Sequence, residues 1–410
     1  MTTPTALPAH PRQLLPREAY TAQSWLEAET THLFSRTWHL AGVTADYPEP
    51  GSYRTLMAGP YPLLVMRGPD GALQAFHNLC RHRGTELLEG EGTLKGTIVC
   101  PYHRWTYGTD GTLRGVPNEA ECFPGLDKST LGLKPAAIGV FKGLVFVHPD
   151  PAPEPDFETW LATLPDVVWP HDIEDGSLVA GEEVVYEMKC NWKVFYENAI
   201  DGYHLAYLHD KTLGPIGPDR NVWDLHGQHL VWYSTERNGA RHPLSELVED
   251  QFKQMGVRDA LPNGMAPYGG VYMLFPTTII TAAPYSLTVS QLVPVSPGIT
   301  LLKARTFAPP GSHGRYGKAS DLPGYDPETG VIRSDNWKAH PKDTYDFQTE
   351  DVWVCEKMQR ALMSPAYEVG ALAAGPGAES TLMQFQQSLL SFMPRITDAP
   401  DSALRPPSSR

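Results

Sequence analysis

A chain of 410 residues is long enough for two domains of ordinary size, each with its own core. Its 33 basic against 47 acidic side chains give a formal charge of −14, which argues against a nucleic-acid partner held through phosphates. Five cysteines, an odd number without a framework, argue against a disulfide scaffold. No apolar run is long enough to span a bilayer, and Met1-Thr2-Thr3-Pro4 opens without the basic and apolar regions of a secretory signal. The expectation is a cytoplasmic protein with no membrane association.

In chain order, residues 1 to about 15 are Pro-rich. Residues 24–38 read as a helix with Ser24 as its N-cap. Short strands are predicted at 63–66, 72–76, 96–99, 105–107 and 144–147, separated by turns such as Asp70-Gly71 and Asp110-Gly111. This pattern suits a small antiparallel β domain. The run Asp150-Pro151-Ala152-Pro153-Glu154-Pro155-Asp156 reads as a linker. Beyond it, longer strands are predicted at 183–189, 229–234, 271–282, 286–293 and 299–308, with helices at 191–209 and 346–362. An antiparallel sheet wrapped around a long helix fits that pattern. Residues 311–337 read as a Gly/Ser/Asp-rich loop and 396–410 as a disordered tail.

Two short stretches carry the chemistry of the first half. Cys80-Arg81-His82 is followed by Cys100-Pro101-Tyr102-His103, so each stretch offers one thiolate and one imidazole. That set suits a [2Fe–2S] cluster with two cysteines on one iron and two histidines on the other. Structural zinc is the rival, although the usual finger groups its cysteines apart from its histidines. Cys122, Cys190 and Cys355 are left over and widely spaced, and Cys355 reads as a small core residue.

The second half has a candidate metal site. Trp192, Phe195, Ala199 and Tyr203 recur at helical spacing. Asp201 and His204 are three apart, hence neighbours on a helix. His204 and His209 are five apart, so both reach one metal only if the helix loosens or ends between them. Two ordinary histidines on one helix remain the plain alternative. A 2-His-1-carboxylate triad leaves positions open for dioxygen. Asp351 is the best third ligand, because it shares an apolar stripe with Cys355, Met358 and Leu362, where an unpaired carboxylate is costly. Glu350 and Asp346 are held in reserve.

Cys80-Arg81-His82-Arg83-Gly84 with Cys100-Pro101-Tyr102-His103-Arg104-Trp105 resembles the Rieske domain of ring-hydroxylating oxygenase large (α) subunits. Arg104 departs from the family, in which Gly is common at that place. The run Asn191 to His209 resembles the N-W-K…E-N…D-x-x-H-x-x-x-x-H segment of the family's catalytic domain. Glu350-Asp351 with Cys355-Glu356 and Gln359 is similar to its E-D…C-E…Q segment. The resemblance implies a [2Fe–2S] cluster on Cys80, His82, Cys100 and His103, and a mononuclear Fe(II) on His204, His209 and Asp351. It implies that Asp201 links that iron to His103 of a neighbouring subunit, and it brings Asn198 into the same site. The implied fold is α+β: a small antiparallel β Rieske domain at 38–150 and a helix-grip, START-like catalytic domain at 156–395. An N-terminal segment, 1–37, would pack on the catalytic domain.

The implied function is the terminal oxygenase of a Rieske-type system. It uses O2 and electrons drawn from NAD(P)H through a separate ferredoxin and/or flavin reductase, because no G-x-G-x-x-G opens a helix after a strand. A homotrimer is implied. The substrate would be a small organic molecule, an arene or a quaternary ammonium compound, that is hydroxylated or demethylated. Trp223, Trp232, Tyr233, Tyr268, Tyr272, Phe275 and Tyr285 offer rings for a cation–π cage or an apolar pocket. Arg237 and Arg241 could hold a substrate carboxylate. The rival readings are a non-catalytic Rieske electron carrier and a zinc-stabilised binding module.

Overall fold

The protein is described from a computed structural model that covers residues 12–167, 173–212, 221–235, 267–283, 286–310, 318–373 and 379–394. The N-terminal segment forms two helices, α1 (Glu18–Thr21) and α2 (Gln23–His32). The helix expected at 24–38 is therefore shorter. Ala22, not Ser24, stands at its N-cap, and a 3-10 turn, Phe34–Arg36, follows it. Thr37 Oγ1 bonds back to Leu33 O (3.1 Å), and the chain then turns into a strand.

Ten strands follow: β1 (His39–Val43), β2 (Ser52–Ala58), β3 (Tyr61–Arg67), β4 (Leu73–His77), β5 (Glu91–Thr93), β6 (Thr97–Val99), β7 (Thr106–Gly108), β8 (Leu113–Gly115), β9 (Pro135–Phe141) and β10 (Leu144–His148). A short helix, α3 (Glu119–Cys122), lies between β8 and β9. The strands make a seven-stranded sheet in the order β1-β10-β9-β4-β3-β2-β5 and a three-stranded sheet β6-β7-β8. Leu63, Leu64, Val65 and Met66 are all fully buried because β3 is covered on both faces. Alternation sends Leu64 and Met66 to the core under the cysteine loops and Leu63 and Val65 to a second core.

After α4 (Phe157–Leu161), N-capped by Asp156, comes an eight-stranded sheet. Its strands are β11 (Val179–Met188), β12 (Asn221–His226), β13 (His229–Thr235), β14 (Pro267–Leu274), β15 (Thr278–Ala283), β16 (Ser286–Ser296), β17 (Ile299–Ala308) and β18 (Val331–Arg333). The order is β12-β13-β14-β15-β16-β17-β11-β18, antiparallel except for β18 against β11. The single strand expected at 271–282 is the β14–β15 hairpin, broken at Phe275-Pro276, where proline has no N–H for the ladder. The loop expected at 311–337 contains β18. The expected tail, 396–410, lies outside the described residues.

The helix expected at 191–209 is also broken. It forms α5 (Trp192–Ala199) and α6 (Leu205–Leu208), and the longest helix among the described residues is α7 (Phe347–Leu362) instead. A last helix, α8 (Ser380–Phe392), was not anticipated. One face of the large sheet buries Tyr186, Met188, Met273 and Leu302 against Trp192, Phe195, Cys355 and Phe385 of these helices, with Leu15, Tyr20, Leu33 and Phe34 from the N-terminal segment. The opposite face buries Tyr272, Leu274, Ile280 and Phe307 against Trp38, Leu40, Leu144 and Phe146 of the first β region. Arg54 strengthens that junction by reaching Asp46 (2.5 Å), Glu91 (2.7 Å) and Glu183 (3.2 Å).

Candidate metal centres

The first site sits on two loops of one design. Cys80 N donates to Thr85 O and Gly84 N to Cys80 O; likewise Cys100 N donates to Trp105 O and Arg104 N to Cys100 O. Each loop must pass through the left-handed region, at Gly84 (φ +77°) and at Arg104 (φ +59°). The paired turns bring the four expected residues together at the surface of the domain. Cys80 and Cys100 are buried, while the imidazoles of His82 and His103 lie half-buried with their Nδ1 atoms 3.1 Å apart.

A metal–nitrogen distance of about 2.1 Å places two ligand nitrogens on one ion roughly 3 Å apart. The facing Nδ1 atoms therefore fit a shared iron. His82 stacks on Trp105 (4.9 Å, 8°), which fixes its ring plane. Burial, His103 and Arg83 hold His82 below its ordinary pKa, so it stays neutral and competent to ligate. Tyr107 Oη lies 3.3 Å from Cys80 Sγ and accepts the N–H of Arg81 (2.9 Å), anchoring the loop from beneath.

The second site depends on where α5 stops. Asn191 caps its start through Lys193 N (3.1 Å). At its end, Asp201 Oδ1 accepts Tyr203 N (2.7 Å) in a tight turn, and His204 then opens α6 while His209 closes it. The break thus precedes both histidines rather than falling between them. Across α6, His204 Nε2 lies 3.2 Å from His209 Nε2. Asp351 on α7 completes the trio, with Oδ1 3.0 Å from His209 Nε2 and 3.6 Å from His204 Nε2. Three donor atoms at such spacing suit a 2-His-1-carboxylate set, which on a bound metal would leave positions for dioxygen. The donor set fits a mononuclear iron.

Charge at the trio follows from its crowding. Burial pushes the His204 imidazolium down, but the Asp201 and Asp351 carboxylates outweigh it and raise the pKa to about 10. For His209 too, burial is outweighed by Asp351, and the net direction is up. Burial raises the Asp351 carboxyl, yet the two imidazoles hold it well below the usual range. Asn198 Nδ2 donates to Asp351 Oδ1 (2.9 Å), so Asn198 positions the carboxylate.

The reserve carboxylates have other partners. Asp346 caps α7 through Thr349, and Glu350 lies against Nδ1 of His209, away from the trio. Met358, expected on the buried stripe, is 45% exposed, whereas Glu350 and Glu356 are buried. Of the expected rings, Trp232 packs with Leu205 beside the site. Tyr272 and Phe275 belong to opposite faces of the sheet, in separate cores. The side chains of Trp223, Tyr233, Tyr268 and Tyr285, and Arg237 and Arg241 altogether, lie outside the described residues.

Sequence reasoning missed the polar support of α5, which is buried on every side. Lys193 Nζ meets Glu29 Oε1 at 2.5 Å, and Trp192 Nε1 donates to Glu29 Oε2 (2.8 Å). Tyr20 Oη (2.7 Å) and Gln386 Nε2 (2.8 Å) donate to Glu197 Oε1. Burial pushes Glu197 up to about 7. No local signal marks these pairs, because the partners lie far away in the chain.

Twin thiolate–imidazole loops and a 2-His-1-carboxylate trio define a Rieske-type protein with a second, mononuclear metal centre. Residues 37–132 match the Rieske [2Fe-2S] domain, and residues 175–395 match the ring hydroxylating alpha subunit (catalytic domain). The chain belongs to the ring-hydroxylating alpha-subunit family. It is 36% identical over 199 residues to the glycine betaine monooxygenase oxygenase subunit of Pseudomonas aeruginosa, covering 48% of this chain and 45% of that protein. It thus spans about half the length of that relative. It is 29% identical to the chloroplastic choline monooxygenase of Spinacia oleracea, over 87% of this chain and 73% of that one. The fold is similar to that of the quaternary ammonium Rieske monooxygenase CntA in complex with L-carnitine, with a TM-score of 0.69, 22% identity, and 94% and 96% of the two chains covered. Among the described residues, no helix is long and apolar enough to cross a membrane.

Proposed function

We propose that the chain is the terminal oxygenase of a Rieske-type system. The observation that carries this reading is the trio of His204, His209 and Asp351 in a chain that also has the twin cysteine–histidine loops. When bound, the cluster supplies single electrons and the iron supplies dioxygen chemistry. Cys80, His82, Cys100 and His103 hold the first group; His204, His209 and Asp351 hold the second. Asn198 orients Asp351. Asp201 fixes His204 from 3.3 Å at Nδ1. In hydroxylation, one oxygen atom enters a C–H bond and the other leaves as water, with two electrons from a separate ferredoxin or flavin reductase and two protons from solvent. Where the carbon is an N-methyl group, the product sheds its carbon as an aldehyde, which is demethylation.

The betaine and choline relatives favour a quaternary ammonium substrate over an arene. We further propose domain limits of 1–37, 38–150, 156–395 and 396–410, a homotrimer and a cytoplasmic setting. Asp201 of one copy would then bridge to His103 of the next. An electron carrier would need no second metal site, so that alternative leaves the trio without a role.

Oxygen uptake is the test. The protein, loaded with both metals and coupled to a reductase, is offered glycine betaine, carnitine, choline and a set of arenes. Substrate-dependent uptake with a hydroxylated or demethylated product is expected for the ammonium compounds. Uptake with arenes alone would overturn the substrate class, and reduction of the cluster without any oxygen consumption would overturn the oxygenase. Asp201→Asn should keep both metals yet slow their electron exchange; unchanged exchange would remove Asp201 from the route.

A further inference from the structure

The two histidines of the trio are held from behind in unequal ways. His204 Nδ1 faces Asp201 at 3.3 Å, and both side chains are 17% exposed. His209 Nδ1 faces Glu350 Oε2 at 2.7 Å, with both side chains sealed from solvent. Glu350 and Asp351 are consecutive on α7, and they address the two nitrogens of one imidazole. Asp351 Oδ1 meets Nε2 at 3.0 Å while Glu350 meets Nδ1. A proton on Nδ1 donated to Glu350 leaves the Nε2 lone pair aimed into the trio.

Glu350 is itself compensated. Thr212 Oγ1 donates to Oε2 (2.8 Å), and Lys342 Nζ lies 3.9 Å from Oε1. Lys342 also ties the end of α6 through the carbonyls of Tyr207 and Leu208 and through Asp210. A cation at a helix C-terminus is favourable, and here it also offsets a buried carboxylate.

We propose that Glu350 is a positioning residue, which fixes His209 as the Nδ1–H tautomer and, backed by Lys342, sets how tightly the trio grips its metal. The inference rests on the mononuclear metal reading. A histidine ligand that donates its second N–H to a carboxylate is a stiffer and more basic donor. The His209 side of the centre is then its permanent anchor, while the His204 side keeps the more exposed partner.

The test uses the full chain with its cluster in place and the mononuclear metal removed by a chelator. Co(II) is titrated anaerobically against a competing chelator, and the visible bands of the bound ion are recorded. Glu350→Gln should bind Co(II) about 10–100-fold more weakly than the parent, with shifted bands and an unchanged cluster spectrum. Lys342→Met should weaken binding by a smaller factor. Glu350→Gln with parental affinity and parental bands would overturn the proposal. Failure of the parent to bind Co(II) would instead overturn the mononuclear reading and the inference with it. Glu350→Ala removes more volume; if it loses the cluster colour through misfolding, the isosteric Gln variant decides.

Discussion

The cluster site takes its four residues from two turns that share one hydrogen-bond scheme, each next to a short strand of a small β domain. The iron site joins α6 to α7, with Glu350 backing His209 from 141 residues away, and apart from Asp201 and Thr212 most of its polar support comes from distant segments. Glu29 is 164 residues from Lys193, and Gln386 is 189 from Glu197. The first site is local; the second is a product of the assembled domain. Locality should therefore govern how each site fails.

The sharpest way to break that comparison is to remove ligands one site at a time. Asp351→Ala should lose the mononuclear metal and all oxygenation while leaving the visible spectrum of the cluster intact. His82→Ala or His103→Ala should do the reverse, losing the cluster but keeping Co(II) binding at the trio. Metal analysis with absorption spectroscopy checks both. Loss of both metals in every variant would mean that the two sites fold as one unit.

Next in size is the buried ion pair under α5. Glu29→Gln leaves the Lys193 ammonium, fully buried, without its countercharge, and should cost about 3–5 kcal/mol. Chemical denaturation followed by tryptophan fluorescence measures it, since glutamine leaves one acceptor oxygen for the two donors, Trp192 Nε1 and Lys193 Nζ, that Glu29 serves. If the sites differ as argued, metal at the trio is lost at lower denaturant than cluster colour. Coincident loss would contradict the difference.

Proton linkage gives a third comparison. In the metal-free chain, His204 is raised to about 10 from 6.5 by Asp201 and Asp351, after its burial penalty is overcome. Its contribution to stability is complete below pH 6.5 and fades as pH rises toward 10. Asp351 is depressed, so its contribution holds above its ordinary 3.8 and is lost as pH falls through the folded value. A metal replaces the proton, so the loaded protein should lack the alkaline decline. Melting temperatures of the chelated and Co(II)-loaded forms should diverge between pH 7 and 10, and parallel curves would refute the coupling.

These contrasts also explain what the sequence could reveal. The C-x-H and C-x-x-H stretches announce the cluster because the turn and the ligands share the same few residues. The strand at 299–308 is legible for a similar reason, since its run of apolar and β-branched residues is local. For the iron site, the five-residue spacing of His204 and His209 asked for a break between them, whereas the chain breaks before both and α6 runs from one to the other. The position of the break was hidden, because it is set by Asp201 accepting the N–H of Tyr203. Asp351 could be found from its cost on an apolar stripe, but that stripe was partly misjudged. Glu350 and Glu356 are buried on partners supplied by other segments, His209 and Ser334 among them, and periodicity cannot see such partners.

The smallest expected effect tests the symmetry of the cluster loops. Gly84 adopts its positive φ at no steric cost, but Arg104 holds the equivalent place with a Cβ that the left-handed region disfavours. Among the described residues, the Arg104 side chain makes no hydrogen bond or ion pair that would compensate. Arg104→Gly should therefore gain about 0.5–1 kcal/mol, relief of strain being partly offset by the greater freedom of glycine in the unfolded chain. The midpoint of thermal bleaching of the cluster reads this directly. Arg104→Ala separates the causes: it removes the guanidinium but keeps the Cβ, so it should show no gain. If alanine stabilises as much as glycine, the cost at this loop lies in the Arg104 side chain beyond its Cβ, and the two turns are equivalent in backbone energy after all.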